Sequence, residues 1–245
     1  MSAPVLEVCA LAFAYPDGQQ ALFDVSFAVT AGEAVGIIGS NGAGKSTLLL
    51  HLNGVHQAAQ GHVVVNGQVV SRGNVQQVRR SVGMVFQDPD DQLFMPTVAD
   101  DVAFGPSNMG LSTSEVASRV AQALDAVGAA HLAQRAPYRL SGGEKRAVAL
   151  AGVLAMRPDV LVLDEPSAAL DPLARRRLIH WLRELPHTRL IASHDLDLVQ
   201  DVCSRVLVLR EGRLVADGTP AAIFADAALL QRCHLEPPLR QQAKP

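Results

Sequence analysis

Long apolar runs are missing from this sequence, and so is a leader segment at its start. No run approaches the roughly 18 apolar residues that cross a bilayer, and the longest candidates, such as ALAGVLAM, suit a buried helix. The opening residues, MSAPVLEVCALAFAYPDG, lack a basic segment followed by an apolar one, which predicts that there is no signal peptide. If the protein works at a membrane, we therefore expect other subunits to supply the spanning helices.

The sequence also lacks a strong excess of positive or negative charge, and its cysteines are not clustered. The formal net charge is -3, which offers no electrostatic attraction to nucleic acid and predicts that none is bound. Cys9, Cys203 and Cys233 are scattered and form no CxxC pair, as expected for reduced thiols in a cytosolic protein. With 49% hydrophobic and 18% charged residues, the chain of 245 residues has ordinary globular composition, enough for one large domain or two small lobes.

Strand patterns dominate the first third of the chain. LEVCALAFAY and FDVSFAV alternate apolar residues with others, as half-buried antiparallel strands do. HVVVNGQVV places two short β runs around Asn66-Gly67, a dipeptide that favours a tight hairpin turn. EAVGII and VGMVF are short continuous apolar runs, which are typical of buried parallel strands.

From about Met95 to Pro158 the pattern becomes helical. In STSEVASRVAQALDAVG, a capping box from Ser112 to Glu115 precedes one apolar face, made of Val116, Val120, Ala123, Leu124 and Val127. Strands then return as VLVLD, RLIAS and RVLVLR with helical segments between them, which predicts a parallel α/β sheet. The helical stretch is therefore predicted to be an insertion in one α/β core, and the tail EPPLRQQAKP is expected to be poorly ordered.

The segment from Gly39 to Thr47, GSNGAGKST, matches the pattern G-x-x-x-x-G-K-[ST] in full. It follows the strand EAVGII and precedes the helix STLLLHLNG, the context in which backbone N–H groups surround phosphate oxygens. Lys45 would contact the β and γ phosphates, and the Ser46 hydroxyl would ligate Mg²⁺. The motif predicts nucleotide binding, but by itself it does not distinguish an ATPase from a kinase.

Two adjacent acids, Asp164 and Glu165, close the apolar segment VLVLDE. Because burying two carboxylates is costly, a cation is expected nearby, and Mg²⁺ on the phosphates is the natural one. Neighbouring strand residues point in opposite directions, so Asp164 is predicted to face Mg²⁺ and Glu165 the attacking water, whose proton it would accept. His194 follows the strand RLIAS at the same predicted edge, where it would hydrogen-bond a γ-phosphate.

The segment LSGGEKR holds a second predicted anion site. Its residues Ser141 to Glu144 have the S-x-x-E pattern of a capping box. A cap alone does not need Gly142 and Gly143, which weaken a helix start, whereas bare N–H groups at a helix N-terminus attract anions. Since the chain already has one phosphate loop, the second site is predicted to close over the nucleotide of another copy.

In order and context, six motifs resemble those of ABC-type ATPases. GSNGAGKST, Gln87, LSGGE, VLVLDEP, SAALD and His194 are similar to the Walker A, Q-loop, signature, Walker B, D-loop and switch-histidine motifs. Tyr15, in FAYPDG, is similar to the aromatic residue that stacks on adenine in that family. The likeness reaches about Phe224 and implies an α/β P-loop NTPase fold. That fold has a RecA-like core, an antiparallel β subdomain and an inserted α-helical subdomain that carries the signature.

The resemblance also implies domain limits and a reaction. The whole chain, 1–245, would be one ABC ATPase domain. The catalytic core and β subdomain would occupy 1–88 and 159–225, the helical subdomain 89–158, and a tail 226–245. ATP would be hydrolysed with Mg²⁺ by a homodimer, or by a heterodimer with a related ATPase, in which each phosphate loop faces the other copy's signature.

Residue roles follow from the same resemblance. The residues expected to act in catalysis are Lys45, Gln87, Glu165 and His194. Those expected to hold Mg²⁺ are Ser46, Gln87 and Asp164. Those expected to bind ATP are Tyr15, Gly39, Ser40, Asn41, Gly42, Ala43, Gly44, Lys45, Ser46, Thr47, Gln87, Ser141, Gly142, Gly143, Asp164 and Asp171.

One position departs from the family pattern. The D-loop segment SAALD has Ala169 where many relatives have glycine before the leucine. Asp171 is expected to keep its role, while the turn around Ala169 is open to change. No catalytic position is missing, so both sites of a homodimer should be competent.

Within the family, FQDPDDQLF followed by VADDVAFGPSNMGLS resembles the ATPases of energy-coupling factor importers, which take up vitamins or transition-metal ions. The motif LEPP favours the cobalt or nickel type. The implied partners are a transmembrane coupling subunit and a substrate-binding membrane subunit at the cytoplasmic face of the inner membrane. The cargo is not expected to bind here, because His51, His56 and His62 lack metal-ligand spacing.

Two other classes fit the sequence less well. A soluble ABC ATPase of translation or DNA maintenance usually has two cassettes in one chain or a long coiled-coil insertion, and this sequence has neither. A P-loop kinase has no use for LSGGE or His194.

The acidic segment VFQDPDDQLF permits three interpretations: a metal loop, a solvated turn or a contact surface. Its acids lack the alternating ligands and central glycine of a calcium loop. Gln87 is instead expected to reach Mg²⁺ and the attacking water. The acids are expected to meet a basic helix of a membrane subunit and Leu93 and Phe94 to add apolar contact, while a solvated turn stays open for Asp90 and Asp91.

Overall fold

The computed structural model describes residues 3–242. Within them the strands are β1 (Pro4–Ala14), β2 (Gln20–Thr30), β3 (Ala34–Ile38), β4 (Gln60–Val65), β5 (Gln68–Val69), β6 (Val82–Val85), β7 (Val160–Asp164), β8 (Thr188–Ala192), β9 (Arg205–Arg210) and β10 (Arg213–Gly218). The α-helices are α1 (Lys45–Leu52), α2 (Val75–Ser81), α3 (Val98–Asn108), α4 (Thr113–Ala126), α5 (Gly142–Leu154), α6 (Pro172–Glu184), α7 (Leu196–Val202), α8 (Pro220–Ala225) and α9 (Ala227–Arg232). Helices α2, α8 and α9 and strand β10 are additional to the elements that the sequence pattern predicted.

The strands form two sheets. An antiparallel sheet has the order β2-β1-β4-β5, and a larger sheet has the order β10-β9-β3-β8-β7-β6. In the larger sheet only the edge strand β10 is antiparallel to its neighbour. The predicted α/β class with an antiparallel β subdomain is thus confirmed. The carboxyl ends of β3, β6, β7 and β8 meet at one edge, where sheets of this kind bind ligands.

The parallel strands are buried on both faces because each face packs on its own hydrophobic cluster. Along β7, Val160 and Val162 join a cluster that includes the antiparallel sheet and α1, whereas Leu161 and Leu163 join one that includes α3 to α7. All four side chains are at most 1% exposed. Two-sided burial explains why these strands read as continuous apolar runs rather than as alternating ones.

The helical insertion consists of α3, α4 and α5, which lie between β6 and β7 and share one cluster. Each begins at a hydroxyl side chain that accepts a first-turn N–H: Thr97, Ser112 and Ser141. The capping box predicted at Ser112 is only half formed, since the Glu115 carboxylate pairs with Arg119 at 2.8 Å. The box at Ser141 is complete, as predicted.

The hairpin between β4 and β5 turns at the predicted dipeptide. Asn66 and Gly67 have φ angles of 49° and 75°, the left-handed conformations that a two-residue hairpin turn requires. The Asn66 side chain also donates to Asp159 at 2.8 Å, which ties the antiparallel sheet to the segment before β7.

The tail is ordered against the core, contrary to the expectation from its composition. Its residues 236–242 include a 3-10 turn, Leu239–Gln241, while 243–245 lie outside the described residues. Arg240 pairs with Asp197 at 2.7 Å and with Asp201 at 2.8 and 2.9 Å, and the Leu239 N–H donates to Asp197 at 2.8 Å. The two carboxylates, one turn apart on α7, are partners that composition does not reveal.

Replacing Arg240 should release the tail without unfolding the protein. We expect Arg240→Ala to speed amide exchange at Leu239 by roughly five-fold, because exposed ion pairs of this kind stabilise by on the order of 1 kcal/mol. The measurement is hydrogen exchange followed by mass spectrometry or NMR. Arg232→Ala, at the end of α9, is the control, and equal exchange in both variants would contradict the assignment.

Candidate nucleotide site

The predicted phosphate loop connects β3 to α1 at the carboxyl edge of the larger sheet. Its shape depends on three glycines. Gly42 and Gly44 have φ angles of 79° and 100°, which favour glycine, and a Cβ on Gly39 would lie 2.3 Å from the carbonyl oxygen of Leu209. The glycines therefore allow the loop to turn tightly and to pass close to the backbone of β9, where a larger side chain would clash.

Lys45, the first residue of α1, is only 7% exposed. Its Nζ donates to the carbonyl oxygens of Gly39 at 2.9 Å and Ser40 at 3.3 Å, and it lies 3.7 Å from Oε1 of Glu165. The backbone of the loop thus surrounds the ammonium group of Lys45 at the N-terminus of α1. Such an arrangement of cation, helix dipole and backbone N–H groups attracts phosphate.

Asp164 ends β7 and is 5% exposed. Burial raises the pKa of its carboxyl, while a hydrogen bond from Ser46 and the charge of Lys45 act in the opposite direction. Within residues 3–242, its Oδ1 atom is buried and has no hydrogen-bond partner. A carboxylate oxygen that lacks a partner therefore lies beside the Ser46 hydroxyl, and oxygen ligands of this type suit a divalent cation.

Glu165 follows directly and is 6% exposed. Its Oε2 accepts from the backbone N–H of His194 at 3.1 Å and from the Ser193 hydroxyl at 3.4 Å, and it lies 2.7 Å from Nδ1 of the His194 ring. The segment after β8 therefore holds one carboxylate oxygen, and the other faces Lys45. The His194 side chain itself is 64% exposed and forms the rim of the site.

The strand alternation from which the directions of Asp164 and Glu165 were predicted does not extend to Glu165, while the roles predicted for the two carboxylates stay predictions. Strand β7 ends at Asp164, and Glu165 has a φ of 44°, so the alternation of a strand does not reach it. This left-handed turn brings both carboxylates to the phosphate loop, Asp164 to Ser46 and Glu165 to Lys45.

Two further predicted residues lie beside this site. The Tyr15 hydroxyl is 2.7 Å from Oγ1 of Thr47, the last residue of the predicted loop, which brings the tyrosine ring next to it. Gln87 is exposed two residues beyond β6, and its backbone carbonyl accepts from Arg146 at 2.7 Å.

The predicted signature residues do not lie beside the phosphate loop of the same chain. Gly142 and Gly143 begin α5 after the cap Ser141, and Ser141 and Gly143 border a second cleft, whose other wall is the start of α6. A Cβ on Gly143 would lie 3.0 Å from that of Ala174, so glycine allows the two helices to approach closely. The phosphate loop instead borders a cleft with Ser167, Ala168 and His194. The structure thus divides the predicted site residues between two clefts.

Asp171 stands at the second cleft and caps α6 by accepting from the N–H groups of Leu173 at 2.8 Å and Ala174 at 2.9 Å. Ala169, the departure from the family pattern, has a φ of 58°. That conformation favours glycine, so alanine here adopts the left-handed turn at a cost of roughly 1 kcal/mol. The local turn is therefore of the kind that glycine forms.

The acidic segment from Asp88 to Asp91 forms a hydrogen bond within itself and an ion pair with α5, the helix that begins at the signature. Asp88 accepts from the Asp90 N–H at 2.9 Å, and the Asp90 carboxylate pairs with Lys145 at 2.6 Å. Asp90 lies in a 3-10 turn and its side chain is 63% exposed, so the solvated turn that stayed open for it fits, and the ion pair with Lys145 is an addition to it. Asp91 is exposed, and Phe94 is 63% exposed. The ring of Phe94 packs edge to face on the ring of Phe104.

Sequence reasoning missed two residues that touch the site. Ser193 donates to Glu165, and Arg146 donates to the carbonyl of Gln87. Ser193 ends the predicted strand RLIAS and Arg146 ends the segment LSGGEKR, but their side-chain partners are 28 and 59 positions away. Spacing therefore held no signal for these contacts.

In the part of the chain that the structure describes, no group of three or more His, Cys, Asp and Glu residues is arranged to hold a metal ion. A search of residues 3–242 also found no helix with both the length and the apolar character needed to cross a membrane.

Comparison with known proteins identifies the family. The family ABC transporter matches residues 22–168. A provisionally named ABC transporter ATP-binding protein of Geobacter sulfurreducens is 57% identical over 245 residues, which are 100% of this chain and 98% of that protein. The energy-coupling factor transporter ATP-binding protein EcfA of Methanothermobacter thermautotrophicus is 49% identical over 239 residues, 96% of this chain and 77% of that protein.

A solved structure agrees with these relatives. CbiO1 of Clostridium perfringens, described as part of the ABC transporter complex CbiONQ, is 40% identical, with a TM-score of 0.83 and 94% of each chain covered. The family match and the near full-length relatives show that this chain belongs to the ATP-binding proteins of ABC transporters, a family of ATPases.

Proposed function

We propose that this chain is the ATP-hydrolysing subunit of an energy-coupling factor importer. The observation that carries the catalytic proposal is the convergence of three side chains at the phosphate loop. Glu165 lies 3.7 Å from Lys45 and 2.7 Å from His194, although these residues belong to the segments that follow three different strands, β7, β3 and β8. A phosphate-binding cation, a candidate base and a histidine at the rim together suit the transfer of a γ-phosphoryl group to water.

The residues also suit Mg²⁺, which the family uses with ATP. The Asp164 oxygen without a partner in residues 3–242 and the Ser46 hydroxyl would hold it, with Gln87 as a further ligand from β6. When bound, the ion would neutralise charge that develops on the phosphate oxygens. The raised pKa of Asp164 follows from burial, so a cation there would favour the ionised carboxylate.

In the proposed reaction, Glu165 orients the attacking water and accepts its proton on Oε1, because His194 and Ser193 hold Oε2. The water oxygen forms a bond to the γ-phosphorus while the bond to the ADP oxygen breaks. Lys45 and the loop N–H groups bind the phosphates, and the His194 ring hydrogen-bonds the γ-phosphate from the rim. Tyr15, beside Thr47, offers its ring to adenine.

The signature supports a dimer. Ser141 and Gly143 border a different cleft from the phosphate loop of their own chain, and Gly142 lies between them at the N-terminus of a helix of 13 residues. We infer that they bind the nucleotide held by a second copy, or by a related ATPase. Asp171 would then reach across the same interface, since it borders the signature cleft from α6.

An exposed aromatic pair supports a membrane partner. The rings of Phe94 and Phe104 meet edge to face at 4.9 Å and are 63% and 45% exposed. The buried Asp101 carboxylate accepts from the N–H groups of Phe94 and Met95, both at 3.0 Å, and so holds this turn in place. Two large apolar side chains held outward beside the exposed Asp91 suit a helix with apolar and basic residues from a coupling subunit.

The proposed cargo is cobalt or nickel, with a vitamin as the alternative. The motif LEPP and the likeness to CbiO1 and EcfA support this assignment. The chain would lie at the cytoplasmic face of the membrane, bound to a coupling subunit and a substrate-binding subunit. Co-purification from membranes, with the bound subunits identified by mass spectrometry and metal uptake measured, tests it. A vitamin-binding subunit would select the alternative, and isolation without any membrane protein would contradict transport.

Removing the proposed base should stop hydrolysis but not binding. Glu165→Gln keeps the shape of the side chain and should lower kcat by at least about 100-fold, the usual contribution of a positioned base. Fluorescent ATP should bind as before, and the variant should dimerise with ATP. Glu184→Gln, at the exposed end of α6, is the control, and near-normal turnover by Glu165→Gln would contradict the assignment.

Neutralising Asp164 should stabilise the protein while abolishing its activity. The pKa of the Asp164 carboxyl is raised in the folded protein above its value of 3.8 in the unfolded chain. Such a group lowers the free energy of unfolding as pH rises from the unfolded-state pKa through the folded-state pKa, and the loss persists at neutral pH. Asp164→Asn removes this loss, so the free energy of unfolding near neutral pH should rise by on the order of 1 kcal/mol. Urea titrations between about pH 4 and pH 8 measure it. A variant less stable than wild type at pH 7 would contradict the reasoning.

The partner surface can be separated from the catalytic site. Asp91→Ala combined with Phe94→Ala should leave ATP hydrolysis by the purified chain unchanged and reduce co-purification of membrane subunits at least about ten-fold, as loss of a central aromatic contact does. Val69→Ala, which alters a residue that is 52% exposed on β5, is the control. Normal assembly of the double variant would place the contact elsewhere.

A further inference from the structure

Arg146, in the second turn of α5, is a buried charge with an unusual set of partners. It is 5% exposed. Its Nη1 donates to the carbonyl oxygens of Phe86 at 3.0 Å and Gln87 at 2.7 Å, and its Nη2 to that of Ala168 at 3.4 Å. Within residues 3–242, no carboxylate lies within 4.0 Å of its guanidinium, and its Nε has no hydrogen-bond partner.

This environment is costly for a cation. Burial lowers the pKa of Arg146, and Asp88 is the charge that opposes the shift. A methionine in this place would avoid the loss of hydration but would leave the carbonyl oxygens of Phe86, Gln87 and Ala168 without this donor. The presence of an arginine at this position is therefore better explained by the backbone carbonyls that its guanidinium connects than by the space that its side chain fills.

The fork connects two loops of the core. Phe86 and Gln87 follow β6, and Ala168 belongs to the D-loop segment SAALD, three residues after Glu165. The Ala168 N–H donates to the Glu165 carbonyl at 3.1 Å, so the Ala168 peptide is held by Arg146 on one side and by Glu165 on the other. A single side chain of the helical insertion thus reaches the backbone on both sides of the proposed catalytic centre.

Other contacts of α5 reach only one of these loops. Lys145 pairs with Asp90 at 2.6 Å, and the Gln92 side chain donates to the Ala149 carbonyl at 2.7 Å. Both bind the signature helix to the segment after β6. The bond to Ala168 is what extends this unit to the D-loop turn.

We propose that Arg146 is a positioning residue for ATP hydrolysis, which sets Gln87 and the Glu165–Ala168 turn relative to the signature helix. The proposal rests on the roles proposed above for Gln87 and Glu165. Arg146 makes no contact with the phosphate loop among its hydrogen bonds, so it acts on the chemical step rather than on nucleotide affinity. Because Arg146 lies about one turn beyond the signature glycines on α5, it also makes the geometry of one site depend on the position of the helix that serves the other.

The test compares Arg146→Met with a matched arginine. Arg189 has the same chemistry: it donates to the carbonyls of Leu185, His187 and Val202, and its Nε is likewise without a partner within residues 3–242. It lies near the amino end of β8, at the opposite edge of the sheet from His194. Arg189→Met therefore reports what the loss of a half-buried, carbonyl-bound arginine does to the fold alone.

For Arg146→Met we expect kcat to fall about 10- to 100-fold, the range seen when groups that orient a site are removed. The KM for ATP and the affinity for fluorescent ATP should change less than about three-fold. Arg189→Met should keep kcat within about two-fold of wild type, whatever its melting temperature. Arg146→Lys should recover part of the lost kcat, since one ammonium reaches the carbonyls after β6 or that of Ala168 but not both.

Two results would overturn the proposal. One is a kcat for Arg146→Met within about two-fold of wild type in protein that melts normally; the other is an equal fall in kcat for both methionine variants. If Arg146→Met does not fold, the comparison is made with Arg146→Lys, which keeps the charge, against Arg189→Lys. Glu165→Gln is assayed in parallel: normal turnover by that variant contradicts the proposed base, whereas the Arg146 and Arg189 comparison alone decides the positioning role.

Discussion

The hydrogen bonds that Glu165 accepts from the segment after β8 hold the nucleotide site together. The left-handed turn at Glu165, with a φ of 44°, takes its carboxylate off the strand and toward the phosphate loop. There Oε2 is held by His194 and Ser193, and Oε1 lies near Lys45. The segments after β3, β7 and β8 thus meet at one buried carboxylate, and its charge is tolerable only because donors and a cation surround it.

The site extends outward from this carboxylate in two directions. Beyond His194, the Asp195 side chain caps α7 and pairs with Arg175 at 2.6 and 2.8 Å, and the tail docks on the same helix through Arg240. Beyond Ala168, Arg146 reaches from the core into the helical insertion. The candidate base is therefore part of a network of polar contacts that spans the core, the tail and the signature helix.

Much of the fold and part of the site could be predicted from sequence. Two-sided burial produced the apolar runs of β3 and β7, and the glycine pattern at Gly39 to Gly44 identified the phosphate loop because the loop needs those conformations. The direction of Glu165 and the partner of Asp90 could not be predicted. The first depends on one backbone turn after a strand, and the second on Lys145, 55 positions away.

The sequence by itself determined what is local: which segments form strands and helices, where the caps and hairpin turn lie, and which residue types stand at the phosphate loop. These features depend on neighbours a few positions apart, whose geometry backbone sterics and side-chain spacing specify. The tertiary structure alone decided that the tail docks, that Asp90 pairs internally and that Arg146 joins two loops. Each of these depends on charges and carbonyls that meet only after the parallel strands have brought distant segments to one edge.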